Sequence, residues 1–222
     1  MPERSRPSVP EPSRDPLAPL RDPKWLSEAQ RKSLHLASIV LPLWILYQPF
    51  PWPHTHRQWV AFLLALTAFA VTVDVVRIHD RRVKKFFGQF FGGLMREHEH
   101  FSLTGATYLL LASLLALELF SRPFAAAAIG FTILGDGMAA LVGRAYGRTR
   151  FFNKTLEGGL GGLVACLGWA ALLAAGGFVP WNIAVCGALA ASLVEILPIP
   201  LDDNLGITLV SGYVMRLLWT AS

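Results

Sequence analysis

From residue 33 to the end of the chain, long apolar stretches alternate with short polar ones. Seven runs stand out, at roughly 33–49, 58–79, 103–120, 123–143, 159–177, 181–198 and 204–219. Each is close to the ~20 residues that an α-helix needs to cross a hydrocarbon core. The pattern therefore predicts an all-α polytopic membrane protein with about seven transmembrane helices. The first run is short and contains Pro42, which predicts a tilt or kink there. Between the second and third runs lies RRVKKFFGQFFGGLM, in which Phe86, Phe87, Phe90 and Phe91 recur at helical spacing beside Arg81, Arg82, Lys84 and Lys85. That spacing predicts an amphipathic helix lying at the interface on anionic headgroups; a loop helix packed on the bundle is the plainer alternative. Residues 1–30 are rich in Pro, Ser and charge and lack apolar periodicity. They read as a disordered cytoplasmic tail, with no apolar core or small-residue site of a signal peptide, ahead of a membrane-embedded domain at 31–222.

Composition agrees with this class. Of the 222 residues 53% are hydrophobic and 16% charged, against a globular average of about 25% charged. The net charge is +5. The basic residues flank apolar runs, so topology accounts for them and no nucleic-acid partner is expected. All but Arg57, Arg122 and Arg216 of the 20 Lys and Arg fall on one side if the N-terminus is cytoplasmic. This predicts a multi-pass protein of the inner or cytoplasmic membrane, or its equivalent, with the N-terminus inside and the C-terminus outside. Cys166 and Cys186 lie within apolar runs and read as small buried residues.

The acids follow the same side. Outside the tail, Glu118 alone falls opposite; Asp74, Glu97, Glu99, Asp136, Glu157, Glu195, Asp202 and Asp203 lie in cytoplasmic loops or near the cytoplasmic ends of runs. Asp74 sits about 7–8 Å inside its end. Ionisable groups at membrane depth mark functional sites by default. Both signs gathered on one face suit a polyphosphate with a divalent metal and leave the hydrocarbon side open to a lipid.

Four stretches could carry chemistry. The first is residues 133–162, ILGDGMAALVGRAYGRTRFFNKTLEGGLGG. Asp136 stands between two glycines, and Ala139, Ala140 and Gly143 leave a small-residue face that a helix or a ligand can approach closely. A basic loop from Arg144 to Lys154 leads to Thr155, Glu157 and a glycine-rich helix start at Gly158. Backbone amides at a helix N-terminus beside a lysine form an anion site, and Asp136 with Glu157 offers hard oxygen ligands suited to magnesium. The second is EAQRKSLHLAS, which aligns Glu28, Arg31, Lys32 and His35 along one helix stripe; Arg31 and Lys32 either contact phosphates or anchor the chain at the inner surface. The third is REHEHFSLTGATY, whose two carboxylates and two histidines offer a general base or a metal ligand. The fourth joins Glu195 to PIPLDDNLGITLVSG, where Asp202, Asp203 and Asn204 are either metal ligands or a helix cap. Asp74 and Arg77, three residues apart, either pair with each other or serve the site. No GxxxxGKS/T loop, protein-kinase motif set, GxSxG elbow or CxxC pair occurs, so a soluble-type nucleotide fold is not supported.

With RKSLH, REHEHFSLTGATY, LGDGMAALVGRAYG, NKTLEGG and VEILPIPLDDNLGITL in this order, the chain resembles the membrane family of CTP-dependent lipid-alcohol kinases, which includes dolichol, phytol and farnesol kinases and the yeast-type diacylglycerol kinase. The resemblance covers residues 28–212. It implies transfer of the CTP γ-phosphate to the hydroxyl of a membrane lipid alcohol (polyprenol, dolichol, phytol or diacylglycerol), with magnesium, at the cytoplasmic face. Asp136, Lys154, Thr155, Glu157 and Gly158 carry over from the family's proposed CTP-binding stretch. Chemistry alone assigns the rest: Asp136, Asp202 and Asp203 to metal, Arg31, Lys32 and Arg144 to phosphate, and Glu97 or Asp74 to the acceptor hydroxyl. The chain also resembles phosphatidate cytidylyltransferase, which uses CTP and has a similar Lys-Thr-x-Glu-Gly stretch but places spaced aspartates in the helix that follows; residues 156–177 here contain Glu157 and no Asp. A small transporter using the acids as ion sites is the alternative outside enzymes.

Overall fold

The computed structural model describes residues 23–92, 95, 99 and 101–221. Most of the expected tail, residues 1–22, and Glu97 lie outside the described residues. Helix α1 runs Pro23–Ala37, so helix begins within the stretch read as tail, and α2 runs Val40–Tyr47. Then follow α3 (His56–His79), α4 (Arg81–Phe91), α5 (Gly105–Leu119), α6 (Arg122–Tyr146), a two-residue hairpin of β1 (Arg150–Phe151) and β2 (Lys154–Thr155), α7 (Leu156–Ala175), α8 (Trp181–Ile196) and α9 (Asp203–Ala221). Among the described residues the fold is all-α apart from this hairpin. Helix occupies each of the seven expected apolar segments. Three helices are long and apolar enough to cross a membrane: α3 with 24 residues, α6 with 25 and α7 with 20; α5 and α8 are shorter apolar helices.

The helix breaks have local causes. The first segment divides at Ser38–Ile39, four residues before the expected bend at Pro42. Proline cannot donate to the carbonyl four residues back, and its ring crowds that carbonyl. Here that carbonyl belongs to Ser38, and it accepts instead from Leu41 N at 2.9 Å. Helix α3 opens with a capping box, Gln58 N donating to Thr55 Oγ1 at 3.3 Å and Thr55 N to Gln58 Oε1 at 3.1 Å. It ends at Asp80, whose Oδ1 in turn caps α4 by accepting from Arg82 N at 2.6 Å and Val83 N at 3.2 Å. One residue thus closes one helix and opens the next. Along α4, Arg81, Arg82, Lys85 and Phe86 are exposed, and Lys84 Nζ lies 4.1 Å from the Phe101 ring centre.

Helix α6 is central and touches α1, α2, α5, α7, α8 and α9. Its run Ala125–Ile129 is wholly buried. Against α7 the two backbones come unusually close. Gly135, Ala139 and Gly143 of α6 repeat every four residues, as do Gly158 and Gly162 of α7. A Cβ on Gly162 would sit 2.8 Å from Gly135 O, and one on Gly158 2.7 Å from Ala139 O. Small residues at this spacing let apolar helices pack where lipid removes the usual hydrophobic drive. The face read in the sequence as open to helix or ligand is therefore taken, over most of its length, by a helix. Trp169 Nε1 reaches back across this interface to Ala127 O at 3.2 Å, and Cys166 is buried in it while Cys186 is half-buried, both as free thiols. A buried hydroxyl pair, Thr132 with Thr208 at 2.7 Å, ties α6 to α9. The outer surface is apolar, with Phe69, Val164, Leu172 and Leu193 exposed, as expected of a surface facing lipid.

The α6–α7 contact is testable. Gly162→Leu is expected to lower stability in detergent micelles by about 1–3 kcal/mol or more through overpacking. Gly168→Leu, on the same helix with nothing within 4 Å of its Cβ position, is expected not to. Thermal unfolding of the two purified variants checks this.

Candidate functional site

The end of α6–α7 packing opens into a cavity of about 460 Å³, within the ~300–1,000 Å³ common for small-molecule sites. Asp136 enters it from α6 and the hairpin forms one side. The hairpin pairs Arg150 with Thr155 and Phe151 with Lys154, which leaves Phe152 and Asn153 at the turn. Thr155 then caps α7, its Oγ1 accepting from Gly158 N at 3.2 Å. These local bonds carry Lys154 over the cavity, where its Nζ lies 3.2 Å from Glu195 Oε1 and 3.2 Å from Asp203 Oδ2, and also donates to Glu195 O. Burial alone would lower the pKa of Lys154, but the charges of Asp203 and Glu195 outweigh it and hold the pKa above the ordinary lysine value. Lys154 is therefore cationic at any physiological pH. Opposite, Lys32 of α1 is 4% exposed and its Nζ lies 2.6 Å from Asp136 Oδ2; His35 Nε2 is 3.7 Å from the same oxygen. Five basic side chains line the cavity (Arg31, Lys32, Arg144, Arg150 and Lys154) against three acids, Asp136, Glu195 and Asp203.

A second cavity of about 320 Å³ adjoins the first. Its walls are mostly apolar, with Leu34, Phe87, Met95, Ala106 and Leu109 on them, and its polar groups include Glu99, Thr104 and Asn204. Arg31, Lys32 and Asp136 line both cavities. The Lys32–Asp136 ion pair thus stands at the partition between a charged compartment and an apolar one.

Of the residues expected from sequence, Arg31, Lys32, Asp136, Arg144, Lys154, Thr155, Gly158 and Asp203 come together on the first cavity. Three expected residues do not. Asp74 lines neither cavity: its Oδ1 accepts from Arg77 Nε at 3.2 Å and Nη2 at 2.9 Å, and its Oδ2 from Thr104 N, Thr104 Oγ1 and Thr107 Oγ1 at 2.8, 3.1 and 2.7 Å. Both of its oxygens are fully engaged, which suits a clamp rather than a base. Arg77 completes the clamp by donating to Glu99 O at 2.8 Å and Ser102 O at 2.9 Å. Glu157 turns away from the cavity and accepts from Thr149 N at 3.1 and 3.2 Å, fastening the loop before the hairpin. Asp202 caps α9, its Oδ1 accepting from Asn204 N and Nδ2, each at 2.9 Å, and is absent from the cavity lining. Sequence reasoning gave no individual role to Arg150, Asn153 or Glu195; it offered Glu99 as one of two carboxylates for a general base or metal ligand, and Asn204 as part of a metal-ligand or cap motif. Glu195 and Glu99 carried a signal, as acids at the ends of apolar runs; Arg150 and Asn153 depend on a hairpin too short to leave one.

Among the described residues no three His, Cys, Asp or Glu side chains gather into a metal centre. Lysine ammonium groups contact all three cavity carboxylates. Such a cavity fits a ligand that brings its own negative charge and takes one or two carboxylates with a hard cation, which is how magnesium travels with nucleotide phosphates.

No protein-family model and no solved structure matches the chain. The chain is similar to an uncharacterized protein of Rickettsia prowazekii (strain Madrid E), 28% identical over 144 residues that make up 63% of this chain and 67% of that protein.

Asp74 and Arg77 are 3% and 1% exposed. Removing one partner of a buried pair strands the other charge, so Asp74→Ala is expected to cost about 3–5 kcal/mol of stability. Denaturant unfolding in detergent checks it, with Asp80→Ala, at an exposed cap, expected to cost about 1 kcal/mol.

Proposed function

We propose that the protein is a CTP-dependent lipid-alcohol kinase. Its seven helical segments would cross the membrane with the N-terminus in the cytoplasm and the two cavities at the cytoplasmic surface. The observation that carries this reading is the pairing of compartments: one lined by basic side chains, one largely apolar, meeting at Lys32–Asp136. A kinase acting on a lipid must bring a water-soluble polyanion and an apolar alcohol to one point, and few other tasks require both surfaces side by side. The ordered sequence resemblance adds the choice of CTP.

In this reading the triphosphate lies in the first cavity. Arg31, Arg144 and Lys154 neutralise its charge; the amides expected to help at the start of α7 are taken, Leu156 N by Thr149 O and Gly158 N by Thr155 Oγ1. Lys32 is offered a choice between Asp136 and phosphate oxygen. Asp136 and Asp203, the carboxylates of the expected metal set that border the cavity, would hold magnesium, which would supply charge neutralisation at the phosphates; Asp202 does not border the cavity. Phosphoryl transfer depends mainly on positioning and electrostatic stabilisation, so the basic residues and Asp136 are expected to dominate activity.

Membranes containing the protein, given CTP labelled at the γ- or the α-phosphate with a panel of lipid alcohols and phosphatidate, decide the matter. Label entering lipid from γ-labelled CTP alone is the expected result. Label from α-labelled CTP with phosphatidate would make the protein a cytidylyltransferase, and no label from either would favour transport. Asp136→Asn is expected to abolish transfer while the protein still accumulates in the membrane; near-normal turnover would remove Asp136 from the mechanism. Lys154→Ala is expected to raise the KM for CTP at least tenfold, as loss of a charged contact of about 1.4 kcal/mol would.

A further inference from the structure

Gly105, the first residue of α5, lies on the wall of the second cavity between two buried polar side chains. A Cβ on it would stand 3.5 Å from Glu99 Oε1 and 3.9 Å from Asn204 Nδ2. Glu99 is 5% exposed and Asn204 6%. Gly105 N donates to Glu99 Oε1 at 3.2 Å. Asn204 Nδ2 donates to Asp202 Oδ1 at 2.9 Å and Gly105 O at 3.4 Å, which fixes the amide's orientation. Its Oδ1 has no hydrogen-bond partner among the described residues. A buried amide oxygen left unpaired costs about 1–3 kcal/mol, and a donor arriving with a ligand in this largely apolar cavity would offset that cost. The Asp74–Arg77 clamp holds this corner in place, because it grips the carbonyls of Glu99 and Ser102 and the amide of Thr104. Away from the corner the cavity runs between Leu34, which is 60% exposed, and Phe87 of α4. Leu34 thus carries the apolar wall to the outer surface of the bundle, and Asp136 lines the same cavity.

We infer that this second cavity is the acceptor subsite, with the alcohol's hydroxyl held between Asn204 and Glu99 over Gly105 and its hydrocarbon leaving past Leu34 and Phe87. The inference rests on the kinase reading for its reaction but not for its ligand class, a long-chain primary alcohol. Asn204 Oδ1 accepts the single hydroxyl hydrogen as the alcohol binds, and the O–H turns from Asn204 to the Glu99 carboxylate before transfer. In the transfer the alcohol oxygen forms its bond to the γ-phosphorus, the bridging P–O bond to the β-phosphate breaks with its electron pair leaving on CDP, and the hydroxyl proton passes to the Glu99 carboxylate. Glu99 is thus assigned as catalytic base, Asn204 as the residue that reads the hydroxyl and Gly105 as the position that sets the room for it.

The test uses the full chain in phosphatidylcholine nanodiscs, a long-chain primary alcohol carrying a diazirine as photoprobe, and γ-labelled CTP. The photoprobe is expected to mark the segments bearing Leu34, Ala106 and Leu109, and excess unlabelled alcohol to suppress the marking. Gly105→Ala places its methyl at ordinary contact distance, so it folds. It is expected to raise the KM for alcohol about tenfold, the low end of what one methylene does in a tight pocket, with the KM for CTP unchanged. Glu99→Gln keeps an acceptor for Gly105 N and is expected to lower kcat about 100-fold or more with both KM values near wild type, as loss of a general base does; a merely structural Glu99 would move stability or KM instead. Photolabelling at the cavity without any phosphate transfer would support the alcohol site and overturn the kinase reading. Transfer with photolabel elsewhere, or with an unchanged alcohol KM in Gly105→Ala, would overturn the inference and leave the kinase reading standing.

Discussion

The approach of α6 to α7 is the contact on which the remaining architecture depends. A carbonyl oxygen of α6 occupies the space where a side chain on α7 would begin, at both Gly158 and Gly162. Between apolar helices, burial of apolar surface gives little preference for one partner over the surrounding lipid, so fit at this range supplies specificity. The registration has a direct geometric result. Helix α7 starts at Leu156, and the hairpin before it must fold back from the end of α6. Thr155 is thereby set against Gly143 and Gly147 near the end of α6, and Lys154 on the cavity that Asp136 lines. Helices α8 and α9 then pack on the pair and deliver Glu195 and Asp203 to the same end.

Two sets of buried charge and one partly exposed set lie among the described residues, and they differ in kind. Asp74 and Arg77 spend their hydrogen-bonding capacity on each other, on hydroxyls and on the backbone around Glu99 and Thr104. Nothing remains for a ligand. Lys32 with Asp136, and Lys154 with Glu195 and Asp203, border open volume. A charged group removed from water is costly unless compensated, and both arrangements satisfy that condition. Only the second can exchange one partner for another. The division between a carboxylate that holds the fold and one that serves a ligand is visible in the bonding of each oxygen, whereas in the sequence all are acids near the ends of apolar runs.

The apolar runs announced nearly every helix, because a helix in an apolar surrounding needs only length and composition. The repeated small residues of α6 were legible for the same reason. The Asp202–Asn204 cap was legible as one of two readings, since capping is decided within three residues. What was not legible depends on distance along the chain. The role of Asp74 is set by Thr104 and Thr107, 30 and 33 positions away, and that of Lys154 by residues 41 and 49 positions away. The hairpin at 150–155 has two residues per strand, too few for any alternation. The break at Ser38 was displaced from Pro42 because proline acts on the carbonyl behind it, not on its own position. Asp202, whose Oδ1 caps α9, does not line the cavity that Asp136 and Asp203 border.

The Lys32–Asp136 pair also bears on biosynthesis. Its two halves are 104 positions apart, and chains grow at about 5–20 residues per second. By that rate Lys32 leaves the ribosome roughly 5–20 seconds before the carboxylate that neutralises it. During that interval the ammonium has no Asp136 beside it, and an unpaired charge is costly to remove from water. The burial of Lys32, 4% exposed in the folded chain, therefore has to follow the synthesis of α6.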